Sequence, residues 1–275
     1  MLRILFDEAW PQSWKYSYPY DLLEVYGETS HRGYAYAYRV RRRVTLDLIT
    51  EALPQGARIL DVAAAQGNFS LTLAEMGYDV TWNDLRGDLA GYVQLKRERG
   101  SVAYAPGNVF DLRFPRPFDA VLITEIIEHV AHPDLFLRAV GNLVKEGGYV
   151  VMTTPNGSYF RNTLPRFSEC QHPEECEARQ FRPNADGHIF LLHPDELALL
   201  AHASGLDVER LLFFTNPLTH GHLGSERLLR RLPPTVVDAL ERGTERLPRC
   251  LQRVGLLHMA ARFKRGRVAS TPSAR

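Results

Sequence analysis

The chain has little cysteine, no dominant charge and no long apolar run. Three cysteines, Cys170, Cys176 and Cys250, stand among 275 residues, which excludes a disulfide-stapled fold. Thirty-three Lys and Arg balance thirty-two Asp and Glu, a formal net charge of +1. No global field therefore draws the whole molecule onto nucleic acid or an anionic membrane. No apolar run is long enough to span a bilayer. The opening residues MLRILFDEAW put acids where a signal peptide would be apolar. The expectation is a soluble, cytoplasmic protein.

What is present is ordinary globular composition, 45% apolar and 24% charged, at a length that suits one large α/β domain with embellishments. Residues 1–45 hold seven of the twelve tyrosines, followed by Arg39, Arg41, Arg42 and Arg43. They read as an N-terminal cap or lid. Val44, Leu46, Leu48, Ile49 and Leu53 have amphipathic helical spacing, ended by Pro54. Strands are then expected over 58–62, 78–82, 101–105, 118–123 and 148–153, alternating with helices over 69–76, 87–98, 126–145 and 194–204. That alternation predicts a doubly wound, mostly parallel sheet. Two late apolar runs, 206–214 and 256–263, are candidates for the last strands. Residues 155–193 and 217–250 read as insertions into a domain spanning 46–263. A basic, small-residue tail from 264 to 275 is expected to be disordered.

The stretch ILDVAAAQGNFS, 59–70, is the most informative. An apolar strand ends in Asp61, a turn of small residues follows, and a helix begins. Small side chains let a ligand lie against the backbone, and the helix start offers unpaired N–H groups. Asp84 ends a second strand in VTWNDL, where a carboxylate can accept hydrogen bonds from two ribose hydroxyls. Gly107-Asn108-Val109-Phe110-Asp111, FDAVLITEIIEHVAHPDLFL (118–137) and GGYVVMTTPN (147–156) follow in order at strand ends. The first turn lacks the G-x-G-x-x-G of a dinucleotide oxidoreductase.

Together these motifs resemble the class I S-adenosylmethionine-dependent methyltransferases, most of all the small-molecule branch that includes the ubiquinone-pathway O-methyltransferases. The resemblance covers roughly residues 40–215. It implies a seven-stranded Rossmann-like sheet and S-adenosylmethionine as cofactor. It implies that Asp61, Ala63 and Gly67 form the turn around the methionine part. Asp84 would bind the ribose, with Leu85 beside the adenine and Asn108 and Val109 in contact with it. Thr124, Glu125 and Ile126 would line the sulfonium end. An Arg of the pre-core helix, Arg43 or Arg39, would reach the cofactor carboxylate. One departure stands out: Ala63 and Ala65 occupy positions usually held by glycine. A methyl there costs stability only where φ is positive or the ligand touches Cα.

Glu125, Glu128 and His129 stand at i, i+3 and i+4. On a helix starting at about Glu125 they would share one face beside the methyl-transfer point. Two carboxylates and an imidazole can ligate a divalent cation, magnesium or similar. The resemblance implies this role for the E-x-x-E-H segment. It also implies a second reading, an RNA 2′-O-methyltransferase of the Hen1 type, in which His188 would be a further ligand. Metal-free base catalysis by His129 or Glu125 and simple helix capping stay open at this stage, as does a non-catalytic binding protein of the same fold.

Other patterns say less. Cys170, His172 and Cys176 match no common zinc spacing and lack a fourth ligand. Tyr34, Tyr36 and Tyr38 beside the arginines suit a lid and acceptor pocket, or stacking on RNA. His220 and His222 are candidates for the acceptor pocket. The leading expectation is O-methylation of a small-molecule hydroxyl.

Overall fold

The computed structural model describes residues 1–28, 30–180 and 187–266. In chain order the first half runs α1 (Gln12–Glu24), α2 (Arg32–Thr50), β1 (Arg58–Val62), α3 (Asn68–Glu75), β2 (Asp79–Trp82), α4 (Leu89–Lys96), β3 (Val102–Tyr104), β4 (Phe118–Thr124) and α5 (Pro133–Leu143). The second half runs β5 (Val144–Pro155), α6 (Pro194–Ala203), β6 (Leu206–Phe214), α7 (Glu226–Leu229), α8 (Pro234–Thr244), α9 (Arg249–Gly255) and β7 (His258–Arg265).

Seven strands form one sheet in the order β3-β2-β1-β4-β5-β7-β6. The five strands from β3 to β5 pair in parallel. β7 slots antiparallel between β5 and β6. The doubly wound, mostly parallel, seven-stranded expectation is borne out. Both faces are covered, so the central strands read as continuous apolar runs. Period-two alternation sends Leu60 and Val62 of β1 into one core with α5 and α6, and Ile59 into the other with α2, α3 and α4. The strand order reverses between β1 and β4, and ligands bind open α/β sheets at the carboxyl ends beside that switch point.

Three local expectations need correction. The helix expected over 126–145 is broken. Glu125 sits at φ +53°, a 3₁₀ turn covers Ile127–His129, and α5 begins only at Pro133. Proline holds the preceding residue out of the α region, and His132 is at φ −119°, ψ 72°. The helix expected from Val44 is the second half of α2, which starts at Arg32 and passes through residue 45 without a break. The cap therefore runs into the core along one helix. At the other end, β7 extends to Arg265, so Lys264 and Arg265 belong to the sheet. The rest of the expected disordered tail, residues 267–275, lies outside the described residues.

The cap is locked to the core by a polar network. Lys96 is fully buried, and its Nζ donates to Asp21 Oδ2 (2.7 Å) and Asn68 Oδ1 (2.8 Å). Tyr92 Oη donates to the same Asp21 oxygen at 2.7 Å. Asn68 Nδ2 donates to Asp21 Oδ1 (2.9 Å) and Glu24 Oε2 (2.8 Å). Burial pushes the Lys96 ammonium below its ordinary range, with Asp21 opposing that push. α1 is thereby tied to the first residue of α3, directly after the small-residue turn.

Candidate active site

The turn after β1 is built by its backbone. Ala63 and Ala65 adopt φ +49° and +46°, and Gly67 adopts φ +72°. A Cβ at Gly67 would fall 2.7 Å from Val93 Cγ1, so any other residue there would force the Val93 side chain to move as well as strain the turn. Ala64 N–H donates to Asn83 O, and Gly67 N–H to Ala64 O. Trp82 Nε1 donates to Ala65 O at 3.0 Å. No side chain caps the α3 N-terminus. The two alanines therefore carry left-handed strain that glycine would not, about 1 kcal/mol each. Ala63→Gly and Ala65→Gly are each expected to raise stability by about 0.5–1 kcal/mol, or roughly 2–4 °C per kcal/mol in Tm. Thermal unfolding with and without S-adenosylhomocysteine checks this. A fall in Tm would mean that the methyl groups themselves pack.

Asp61 is buried beneath the turn. Its Oδ2 accepts from Ser70 Oγ at 2.6 Å and its Oδ1 has no partner. Burial pushes this carboxyl up to about 7, against the Ser70 hydrogen bonds. Asp84 is 3% exposed at the end of β2. Its Oδ2 accepts from Ala65 N–H (2.9 Å), and its Oδ1 from the backbone N–H and Nε of Arg86 (2.9 and 3.0 Å). Leu85 and Phe110 expose apolar side chains from the ends of β2 and β3. Val109 is buried, and Asn108 turns its amide back to Asp111 at 3.0 Å. Thr124 ends β4, and Glu125 and Ile126 follow it at the switch point.

Beyond β4 the side chains divide into two groups. Glu125 Oε2 lies 3.3 Å from Arg41 Nη1 and 3.8 Å from His258 Nε2. Burial would raise this carboxyl, but the positive charge of the Arg41 guanidinium leads the groups that hold it below the usual carboxylate range. Glu128, His129 and His188 form the second group, with one ligand atom from each within 4.8 Å of the others. Among the described residues it is the only such group of His, Cys, Asp and Glu. Glu128 is fully buried. Its Oε2 accepts from Thr154 Oγ1 at 2.9 Å and its Oε1 has no partner. Burial, and then the Glu125 charge, push the Glu128 carboxyl well above its ordinary value. The imidazole centroids of His129 and His188 lie 5.0 Å apart, and burial lowers His188. Ile189 N–H donates to Glu128 O at 2.8 Å, which brings the distant His188 to the 3₁₀ turn. Three of the four expected ligands thus converge, while the Glu125 carboxylate is engaged by Arg41 and His258.

The arginines of α2 point different ways. Arg43 pairs with Glu245 and Asp47, and Arg39 lies over the Tyr36 ring and near Asp238, both on the outer side of α2. Arg41 turns inward. Its Nε is buried without a partner, and its guanidinium sits 5.3 Å over Tyr38. Tyr34, Tyr38 and Arg41 share a helical face at i, i+4 and i+7. That periodicity was invisible to a reading that began the helix at Val44. Cys170 and Cys176 are free thiols, His172 pairs with Glu174 at 3.0 Å, and among the described residues these three do not gather into a group of possible metal ligands.

His258 and His220 complete the polar wall, with ring centroids 5.9 Å apart. Burial pushes both imidazoles down to about 4. A base with a depressed folded-state pKa contributes stability that is present above its unfolded value, near 6.5. That stability is lost as pH falls toward 4. Asp61 acts in the opposite sense, losing stability as pH rises toward 7. His258→Phe retains stacking on Phe214 and is expected to flatten the loss of Tm between pH 6.5 and 4. The contribution is up to about 3 kcal/mol at full burial. An unchanged slope would contradict the assignment of His258 as a buried neutral imidazole.

A family model described as a methyltransferase domain matches residues 33–211. The chain belongs to this family. It is similar to the ubiquinone biosynthesis O-methyltransferase of Dechloromonas aromatica (strain RCB), 30% identical over 229 residues. That match covers 78% of this chain and 95% of that protein. It is 39% identical over 172 residues to the protein of the same name from Xanthomonas campestris pv. campestris (strain B100), covering 60% of this chain and 70% of that one. Among solved structures, the magnesium protoporphyrin IX methyltransferase of Synechocystis PCC 6803 with bound S-adenosylhomocysteine aligns with a TM-score of 0.58. Identity is 10%, with coverage of 92% of this chain and 94% of that one. This methyltransferase uses S-adenosylmethionine. Its residues fit the cofactor: a small-residue left-handed turn, an uncapped helix start, a carboxylate at the β2 end and an unpartnered Asp61 oxygen. Arg86 lies across Asp84 and would share that carboxylate with a ribose.

Proposed function

We propose that this methyltransferase methylates a hydroxyl group of a small molecule, and that Glu128, His129 and His188 activate that hydroxyl by holding a divalent cation. The observation that carries the reading is the convergence of three ligand atoms within 4.8 Å, one of them on a buried carboxylate with a spare oxygen. Two imidazoles and one carboxylate suit a borderline ion such as Mn²⁺, Fe²⁺ or Zn²⁺ better than Mg²⁺, which prefers oxygen. A cation there would supply Lewis acidity toward the acceptor hydroxyl, easing the loss of its proton near neutral pH.

The remaining work belongs to the chain. The turn 63–67 and Asp84 would fix the cofactor so that its methyl group points past Glu125 toward the acceptor. Arg41, on the inner face of α2, would meet the cofactor carboxylate. Thr154 orients Glu128 by its hydrogen bond to Oε2. Buried Ile126 and Ile127 keep water away from a substitution that needs alignment more than chemical assistance. The RNA reading is weaker, because Glu125 is engaged elsewhere and the balanced net charge supplies no general field for a polyanion.

The test is methyl transfer from labelled S-adenosylmethionine to a cell extract that is then split into RNA and small-molecule fractions. Label is expected in the small-molecule fraction, in a linkage stable to mild base as an ether is. Label confined to RNA would overturn the acceptor class.

A further inference from the structure

The segment between β6 and β7 separates its charges. Each of its four acids has a partner. Glu226 accepts from the Arg32 and Gly33 backbone N–H groups, and Asp238 lies near Arg39. Glu241 accepts from Asn216 N–H and Thr219 Oγ1, and Glu245 pairs with Arg43. The exposed guanidinium groups of Arg227, Arg231, Arg242 and Arg246 have no partner among the described residues. Asp238, 48% exposed beside Arg39, is the most exposed acid of the segment, and none of the four arginines pairs with it.

The same segment carries two short apolar stripes. On α8, Val236, Ala239, Leu240 and Gly243 follow i, i+3, i+4, i+7 and are exposed. Leu247 stands just before α9, and Leu251 and Val254 follow i, i+3 along it. Val236, Leu240, Leu247, Leu251 and Val254 are 40–51% exposed. Phe160, 66% exposed, donates its backbone N–H to Val254 O and extends the second stripe. The inner side of α8 is seated: Val237 packs with Tyr36 and Leu229. The outward face alone lacks a cover.

We propose that the outward face of α7–α9 docks on an anionic membrane surface, with Val236, Leu240, Leu247, Leu251 and Val254 entering the headgroup layer and the four free arginines meeting lipid phosphates. Helices that present Leu and Val among arginines are suited to lie in that interface. Charge decides between occupants. A second copy docked face to face would set the same unpaired arginines against each other. An RNA would find no exposed aromatic platform among Leu and Val. The segment also borders the acceptor side of the site, since Glu241 holds the 216–219 turn that leads to His220.

The probe is vesicles of phosphatidylcholine, with and without phosphatidylglycerol, in a co-sedimentation assay across salt. The protein is expected to bind the anionic vesicles only, and to leave them as ionic strength rises. Arg242→Gln and Arg246→Gln are each expected to weaken partitioning about fivefold. Leu240→Ser with Leu251→Ser is expected to abolish binding that survives moderate salt. Calorimetric affinity for S-adenosylhomocysteine should be unchanged in all of them, which verifies folding. Failure to bind anionic vesicles at low salt, equal binding by the arginine variants, or a dimer abolished by the same substitutions would overturn the proposal.

Discussion

Glu128→Gln is expected to lower methyl transfer on the order of 10²- to 10⁴-fold, with affinity for S-adenosylhomocysteine unchanged within about twofold. The asymmetry follows from the geometry. Glu128 lies past the cofactor turn, within 4.8 Å of His129 and His188 at their ligand atoms. Glutamine keeps its volume and can still accept from Thr154, so the fold around β4 and β5 is preserved. What it loses is the anionic oxygen that binds a cation or a proton. His129→Ala and His188→Ala should follow the same pattern. Measuring kcat together with calorimetric cofactor affinity separates this from a folding defect, because a disordered 125–130 segment would weaken both. Undiminished turnover in Glu128→Gln would remove the cluster from the mechanism.

Lys96→Ala is expected to destabilise the protein by about 3–5 kcal/mol, a fall in Tm of roughly 10 °C at this chain length. Lys96 and Asp21 are both completely buried, 75 residues apart in sequence. Removing the ammonium leaves the Asp21 carboxylate in a dry site with only Tyr92 and Asn68 to donate to it. The prediction is sharper in combination. Asp21→Asn with Lys96→Met removes both charges at similar volume and should recover most of the loss, because replacing a whole buried ion pair is often close to neutral. Asn68 bridges this pair and begins α3, so the single variant should also weaken S-adenosylhomocysteine binding. Equal Tm values for the single and double variants would show that the pair is not coupled.

The parts legible in sequence were those whose signal is local. Asp61 and Asp84 each announce a strand end and Gly67 a helix start, and the fold follows from five strand ends in order. The left-handed strain at Ala63 and Ala65 was foreseen as a possibility and is now located in φ. Features that depend on long-range convergence were not legible. Arg41 could not be told from Arg39 and Arg43 until α2 was seen to start at Arg32, which fixes the inward face. The break in the 126–145 helix did have a signal, Pro133 after His132, and apolar periodicity on both sides masked it. The separation of Glu125 from Glu128 arises from the positive φ at Glu125. That single residue turns one carboxylate toward α2 and β7 and leaves the other to the histidines.

Chelation tests the account most directly. Protein stripped of divalent ions should bind S-adenosylhomocysteine normally yet fail to transfer label to the small-molecule fraction. Adding back Mn²⁺ or Zn²⁺ should restore transfer in the wild type but not in Glu128→Gln. Full transfer by the stripped protein would contradict the cation-held hydroxyl and return the chemistry to a protein base.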